Sequence, residues 1–304
     1  MNEATGGRVV SLAIDKYVYV AMNRRFDDSI RVSYSSTENV RSVGEIDHDL
    51  VREAMRVTGI ESGVEITTIA DIPGRGTGLG SSSSVTVGLL NAMHAFEGRN
   101  PTKRQLAEEA CRIEIDVLGA PIGRQDQYAA SFGGINSITF GDNGVIVDPI
   151  SLDAEVVDGI AENFSLVYTG MTRSASEVLS EDPTNEEEAI ERLREIRAQA
   201  DSAAMLLASG DLESLGTLLN EAWLLKRGTS TRVSNSSIDK LYERLIRTGV
   251  KGAKLLGAGS GGFFLVFGDP SLRGTLSEEL GNENRILPMG VDFSGSKIIH
   301  GFGK

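Results

Sequence analysis

Between Asp71 and Ser84 the chain reads Asp-Ile-Pro-Gly-Arg-Gly-Thr-Gly-Leu-Gly-Ser-Ser-Ser-Ser, placing four glycines and four serines between an apolar run and a helix-spaced one. Glycine lets the backbone turn sharply and come close to a polyanion, and the N–H groups that open the next helix present the positive end of its dipole. These residue types predict a phosphate cradle, with serine hydroxyls able to add hydrogen bonds or hold a metal ion. Four serines in a row exceed what a helix cap requires. Two common nucleotide motifs are excluded. Ser81 stands where a Walker A loop needs lysine, and G-x-G-x-x-G cannot be laid on residues 74–83.

A second cluster, Gly257-Ala258-Gly259-Ser260-Gly261-Gly262, does spell G-x-G-x-x-G. It runs into Phe263-Phe264-Leu265-Val266-Phe267, a strand pattern rather than the helix a Rossmann turn requires, so its plain reading is a tight strand-to-strand connection. Other candidates have plain readings too: Glu114 as a solvated helix residue, Asp126 as the cap of a short helix over Gln127 to Ser131, Arg173 as a surface arginine. His48, His94 and His300 lack ligand spacing, so zinc chemistry is not supported. Cys111, the single cysteine, sits in a helical pattern with Ala107, Ala110 and Ile113 and reads as a buried thiol.

The elements that must position these residues follow from periodicity. Val9 to Met22, rich in valine, isoleucine and tyrosine, and the alternating Ile30 to Tyr34 predict two opening strands, with Lys16 in the first; Asp47 to Val57 predicts a short helix. Gly63 to Ala70 is a strand entering the glycine loop, and Val85, Leu89, Met93 and Phe96 continue a helix to Gly98. Thr102 with Gln105 forms a capping box for a helix ending at Gly119. Gly133 to Phe140 and Val145 to Ile150 flank Gly-Asp-Asn-Gly, a hairpin signal. Beyond Phe164 to Thr169, a strand, come helices over Thr184 to Leu207, Asp211 to Lys226 and Ser236 to Thr248. Strands at Lys254 to Ala258 and Phe263 to Phe267, a helix at Ser271 to Leu280 and an extended end complete an α+β order in two domains, 1–155 and 156–304.

Composition bounds the partners. The 304 residues, 40% hydrophobic and 24% charged, suffice for a full core, and a formal charge of −13 argues against nucleic acid as a partner. The apolar runs are far shorter than the roughly 20 residues of a membrane span, and the N-terminus lacks a signal peptide's basic and apolar regions, so a cytoplasmic enzyme without membrane contact is expected. Oligomeric state stays open, a homo-oligomer included.

The run from Pro73 through Gly78-Leu79-Gly80-Ser81-Ser82, with the later Lys254-Leu-Leu-Gly-Ala-Gly-Ser-Gly-Gly262, resembles the second and third motifs of the GHMP kinases. Glu114-Ile-Asp-Val-Leu-Gly119 and Gly123-Arg124-Gln125-Asp126 are similar to that superfamily's glutamate helix end and Gly-x-x-Asp loop. Ala13 to Val20, Gly123 to Tyr128 and Tyr168 to Ala175 are most similar to the heptose 7-phosphate kinase branch. The resemblance covers nearly the whole chain. It implies a ribosomal-protein-S5-like first domain, a ferredoxin-like second domain, and phosphorylation of the anomeric hydroxyl of D-glycero-D-manno-heptose 7-phosphate, with fucose, galactose or another small alcohol as alternatives.

By the same resemblance, Pro73, Gly76, Thr77, Gly78, Leu79, Gly80, Ser81, Ser82 and Ser83 bind ATP, Ser82 and Glu114 hold Mg²⁺, and Asp126 is the catalytic base. Arg173, Arg124, Lys16, Gly257 and Gly259 are the implied substrate contacts, with the sugar between the two domains. Hard oxygen ligands suit Mg²⁺, and a cation suits a sugar phosphate. The superfamily also opens with a strand and a Pro-x-Arg-x-x-x-x-Gly-Gly-Gly-Thr-Asp type segment, which this sequence lacks. That implies either a start assigned downstream of the true one, the favoured reading because Ser82, Glu114 and Asp126 are kept together, or a short form that binds nucleotide with little or no kinase activity.

Overall fold

The computed structural model describes residues 7–73, 76–141, 144–172, 186–228, 230 and 232–301. It divides into two compact units interleaved along the chain: Met1–Asp15, Arg75–Leu79 and Gly134–Asp292 form one, and Lys16–Gly74, Gly80–Gly133 and Phe293–Lys304 the other. Both mix helices with sheets, as the α+β reading predicted.

The first unit holds strands β1 (Gly7–Leu12), β6 (Ile135–Gly141) and β7 (Gly144–Pro149) in one antiparallel sheet. Its second sheet has the order β11 (Ile286–Pro288), β8 (Phe164–Tyr168), β10 (Phe263–Phe267), β9 (Gly252–Leu255). Both faces of β10 are covered. Phe264 and Val266 enter one hydrophobic cluster with Trp223 and Val167, while Phe263 and Phe267 enter another with Phe164 and Leu166. A strand buried on both sides needs no polar alternation, which is why Phe-Phe-Leu-Val-Phe is continuously apolar. Among the described residues this unit also holds helices α5 (Ala154–Asn163), α6 (Glu186–Ser209), α7 (Leu212–Arg227), α8 (Ser236–Arg247) and α9 (Leu272–Leu280).

The second unit has a sheet of order β2 (Val18–Arg24), β5 (Val64–Ala70), β3 (Ile30–Ser33), β4 (Thr37–Val40). Ile30 and Val32 face a core with Ile66, Leu89, Leu90 and Met93, while Arg31 between them is exposed. The helices are α1 (Asp49–Thr58), α2 (Ser81–Phe96), α3 (Lys103–Cys111) and α4 (Gln125–Phe132).

Several boundaries depart from the sequence reading. Val9 to Met22 is two strands in different sheets, because the chain leaves β1 at Ala13 and Asp15 N–H donates to the Gly290 carbonyl. Lys16 therefore lies in a connection, not in a strand. The capping box is half made: Thr102 Oγ1 accepts from the Gln105 N–H at 3.1 Å, but the Gln105 amide turns to Glu109. β9 stops at Leu255 rather than Ala258, and β4 and α5 were not anticipated. Among the described residues, no helix is long and apolar enough to cross a membrane.

Candidate active site

Strand β5 ends at Ala70, and the chain reaches α2 through the glycine loop. Gly76, Gly78 and Gly80 have φ of 69°, 73° and 67°. Left-handed residues recurring at every second position are the backbone state that gathers successive N–H groups into an anion-binding concavity. Gly80 is also the N-cap of α2, so this helix starts without a capping side chain. Pro73 and Gly78 are exposed, Thr77 is buried, and Gly76, Leu79 and Gly80 are half-buried.

Within the first unit the two glycine clusters pack backbone against backbone. A Cβ added at Gly257 would lie 2.4 Å from Gly78 Cα, and one at Gly262 would lie 2.2 Å from the Thr77 carbonyl oxygen. Any side chain there would displace the loop. The second cluster does join β9 to antiparallel β10, as its plain reading predicted, and the structure adds that it backs the first. Gly257 and Gly259 thus have packing reasons: the Cβ direction of Gly259 points 2.5 Å from the Val233 carbonyl oxygen.

Within the second unit, the start of α2 gathers the acidic residues. The helix beginning at α3 widens at Arg112–Val117 into a π-helical turn, where the Leu118 N–H reaches back to the Ile113 carbonyl. Such turns are rare and frequent at functional sites. This one carries Glu114, whose residue is only 2% exposed, against the solvated-residue reading. Glu114 Oε2 accepts from Ser82 Oγ at 3.1 Å and from Ser83 Oγ at 3.2 Å. Burial pushes its carboxyl above the usual range despite these hydroxyls, which pull the other way.

Its other oxygen, Oε1, is buried and makes no hydrogen bond of normal geometry among the described residues, and the same holds for both amide atoms of Gln127, a residue 0% exposed whose side chain nonetheless helps pull the Glu114 carboxyl down. Buried polar atoms are costly to leave unpaired. Glu114 Oε1 and the exposed Ser82 hydroxyl are hard oxygen donors, and they fit a magnesium ion that keeps several of its waters. The identity of Gln127 was visible in the sequence, but the burial of its amide was not.

Asp126 lies in the first turn of α4 rather than at its cap, which is Arg124 and makes no side-chain capping bond. It abuts the glycine loop: a Cβ on Gly80 would sit 3.2 Å from both Asp126 Cβ and Cγ. Burial raises its carboxyl above the usual aspartate value, with a hydrogen bond from Gln125 working against the shift. Ser81 and Ser83 are buried beside exposed Ser82. The structure thus brings Gly80, Ser82, Ser83, Glu114 and Asp126 to one end of α2. Arg124 is exposed and Lys16 half-buried; Arg173 lies outside the described residues. Cys111 is buried, its thiol pushed up to about 12, which makes it a poor nucleophile.

Known proteins share this arrangement of modules. The family model described as GHMP kinases N terminal domain matches residues 48–134, and that described as GHMP kinases C terminal matches residues 203–285, together more than half the chain. The D-glycero-alpha-D-manno-heptose 7-phosphate kinase of Campylobacter jejuni is 28% identical over 309 residues, covering 96% of this chain and 89% of that protein. A galactokinase of Pyrococcus furiosus is 25% identical over 322 residues, covering 92% and 88%. The crystal structure of a D-glycero-D-manno-heptose 1-phosphate kinase from Bacteriodes thetaiotaomicron is similar in fold, with a TM-score of 0.80 at 23% identity over 98% of this chain and 93% of that one. With both modules present in order, and with relatives matched along nearly their whole length, this chain belongs to the GHMP kinase family and is an ATP-dependent kinase.

Proposed function

We propose that this chain is a sugar kinase that phosphorylates the anomeric hydroxyl of a heptose phosphate, with D-glycero-D-manno-heptose 7-phosphate as the preferred acceptor. The observation that carries the reading is the convergence on the head of α2. A buried carboxylate whose Oε1 makes no hydrogen bond of normal geometry among the described residues, a serine hydroxyl bonded to that carboxylate, and a second carboxylate against the glycine loop meet there.

Phosphoryl transfer asks a protein mainly for alignment and charge neutralisation. The left-handed glycines and uncapped amides of Gly76 to Ser83 bind the phosphates of ATP. Ser82 and Glu114 hold Mg²⁺, which when bound neutralises phosphate charge. Asp126 accepts the proton of the attacking hydroxyl; its raised carboxyl is a better proton acceptor than an ordinary aspartate. The sugar side is assigned to Arg124, Lys16 and Arg173, with Gly257 and Gly259 shaping the wall behind the loop. The heptose assignment is supported by the Campylobacter jejuni relative.

The test is ADP release over a panel of D-glycero-D-manno-heptose 7-phosphate, the free heptose, fucose, galactose and mevalonate. Turnover is expected to be fastest with the heptose 7-phosphate. Turnover of mevalonate and of no sugar would contradict the reading.

A further inference from the structure

Three helices of the second unit are tied to one short segment of chain, residues 294–296. Lys103, the first residue of α3, donates from Nζ to the Phe132 carbonyl at 2.7 Å and to the Ser294 carbonyl at 2.9 Å. Ser131 Oγ, on α4, donates in turn to the Lys103 carbonyl at 2.6 Å, and the Ser296 N–H donates to the Ser131 carbonyl at 3.3 Å. From α2, Asn91 Nδ2 donates to Ser296 Oγ at 2.8 Å. The segment fits closely. Gly295 has φ of 64°, and a Cβ there would lie 2.4 Å from the Ser131 carbonyl oxygen.

Each of these helices carries a group of the candidate site away from that segment. From Lys103, α3 runs on into the π-helical turn that holds Glu114, about 16 Å along the axis, and α4 reaches back from Phe132 to Asp126, about 9 Å. Helix α2 begins at Ser81, beside Ser82. A helix of 8 residues is too short to hold its own conformation in water, so the place of Asp126 depends on what grips α4. Lys103 grips it where the last carbonyls lack intrahelical donors and the helix dipole favours a cation. An exposed lysine is ordinarily a solvated surface group. This one joins carbonyls 29 and 191 residues away from it in the chain.

We propose that residues 294–296 are a strap that sets the spacing of α2, α3 and α4, and that Lys103 is a positioning residue for phosphoryl transfer, acting by holding Asp126 and Glu114 in their relative places. The inference rests on the roles given above to Asp126 and Glu114, and not on which sugar is the acceptor. A displacement of about 1 Å at the reacting groups is enough to slow a reaction about 10²-fold. Loosening the strap is therefore expected to show in kcat and not in the binding of ATP.

Steady-state kinetics of the full chain, with whichever acceptor the parent turns over fastest, test the strap. In Lys103→Met, kcat is expected to fall about tenfold or more with the KM for ATP within twofold of the parent. Lys103→Arg, which can still donate to both carbonyls, is expected to recover most of the loss. Ser296→Ala, which cuts the tie to Asn91 alone, is the second variant if Lys103→Met does not fold. Cys111, the single cysteine and only 8% exposed on α3, gives a readout without turnover. Its labelling by an aromatic disulfide reagent is expected to quicken about tenfold once the helices loosen. A lower melting temperature with kcat within twofold of the parent would show a structural role only and overturn the proposal, as would unchanged labelling or a loss that Lys103→Arg fails to recover. Asp126→Asn keeps the two readings apart. If it is impaired while folded Lys103→Met is not, the strap falls and the site stands; if it is fully active, the site roles fall and Cys111 labelling alone judges the strap.

Discussion

Asp126 and Glu114 are both carboxylates raised by burial, and their surroundings give them different work. Asp126 abuts Gly80 and takes a hydrogen bond from the neighbouring Gln125 side chain, whereas Glu114 is fastened by two serines and, among the described residues, keeps Oε1 without a hydrogen bond of normal geometry. Asp126→Asn is therefore expected to lower kcat by about 10²–10⁴-fold while the KM for ATP stays nearly constant. Because burial raises its carboxyl, the base form fills only at a pH above the ordinary value of 3.8. The kcat/KM profile should then rise through an acid limb above that value, and steady-state kinetics should find the limb missing in the variant. Glu114→Gln acts differently. It is expected to raise the Mg²⁺ concentration for half-maximal activity by about tenfold or more, losing one charged ligand contact. In metal-free buffer at neutral pH its melting temperature should not fall, since a buried charge has been removed; a large fall would show that Glu114 is held for structure. The residue types at 114 and 126 were legible in the sequence, while the burial that distinguishes them was not, because it is made by residues distant in the chain.

At the scale of elements, two backbone features place these groups: the alternating left-handed glycines and the π-helical turn. Glycine content announced the first, since four glycines at alternate positions between a strand and a helix have few other uses. Nothing announced the second. The sequence Arg112 to Val117 is an ordinary amphipathic helix by periodicity, and no local pattern in it distinguishes the wider turn that carries Glu114, the partner of Ser82 and Ser83. Thr102 shows the same limit on a smaller scale: its cap was readable, but Gln105 had a competing partner in Glu109. Gly80→Ala tests the joint between loop and helix. A left-handed alanine costs about 1–2 kcal/mol, and its methyl group would press on the Asp126 carboxylate. Kinetics and thermal melting together are expected to show a modest loss of stability with a much larger loss of kcat. Loss of stability alone would mean that Gly80 serves only to cap α2.

For the whole molecule, each unit carries its own hydrophobic clusters, with Ile30, Leu90 and Met93 in one and Trp223, Phe264 and Phe267 in the other. Met93→Ala, at a position 0% exposed, is expected to cost about 2–5 kcal/mol in denaturant unfolding. The mixed α and β content was legible from alternating periodicity. The interleaving was not, because segments 75–79 and 134–292 are joined by contacts between backbones, such as Gly78 with Gly257, that no local pattern encodes. The proposed reaction moves the γ-phosphoryl group of ATP to an anomeric sugar hydroxyl with Asp126 as base. It is tested most directly by ³¹P NMR of the full chain with ATP, Mg²⁺ and D-glycero-D-manno-heptose 7-phosphate. A second sugar phosphate resonance, coupled to the anomeric proton and growing in step with ADP, is expected, and Asp126→Asn should form it far more slowly. Equal rates in the two proteins, or ADP appearing with no anomeric phosphate, would contradict it.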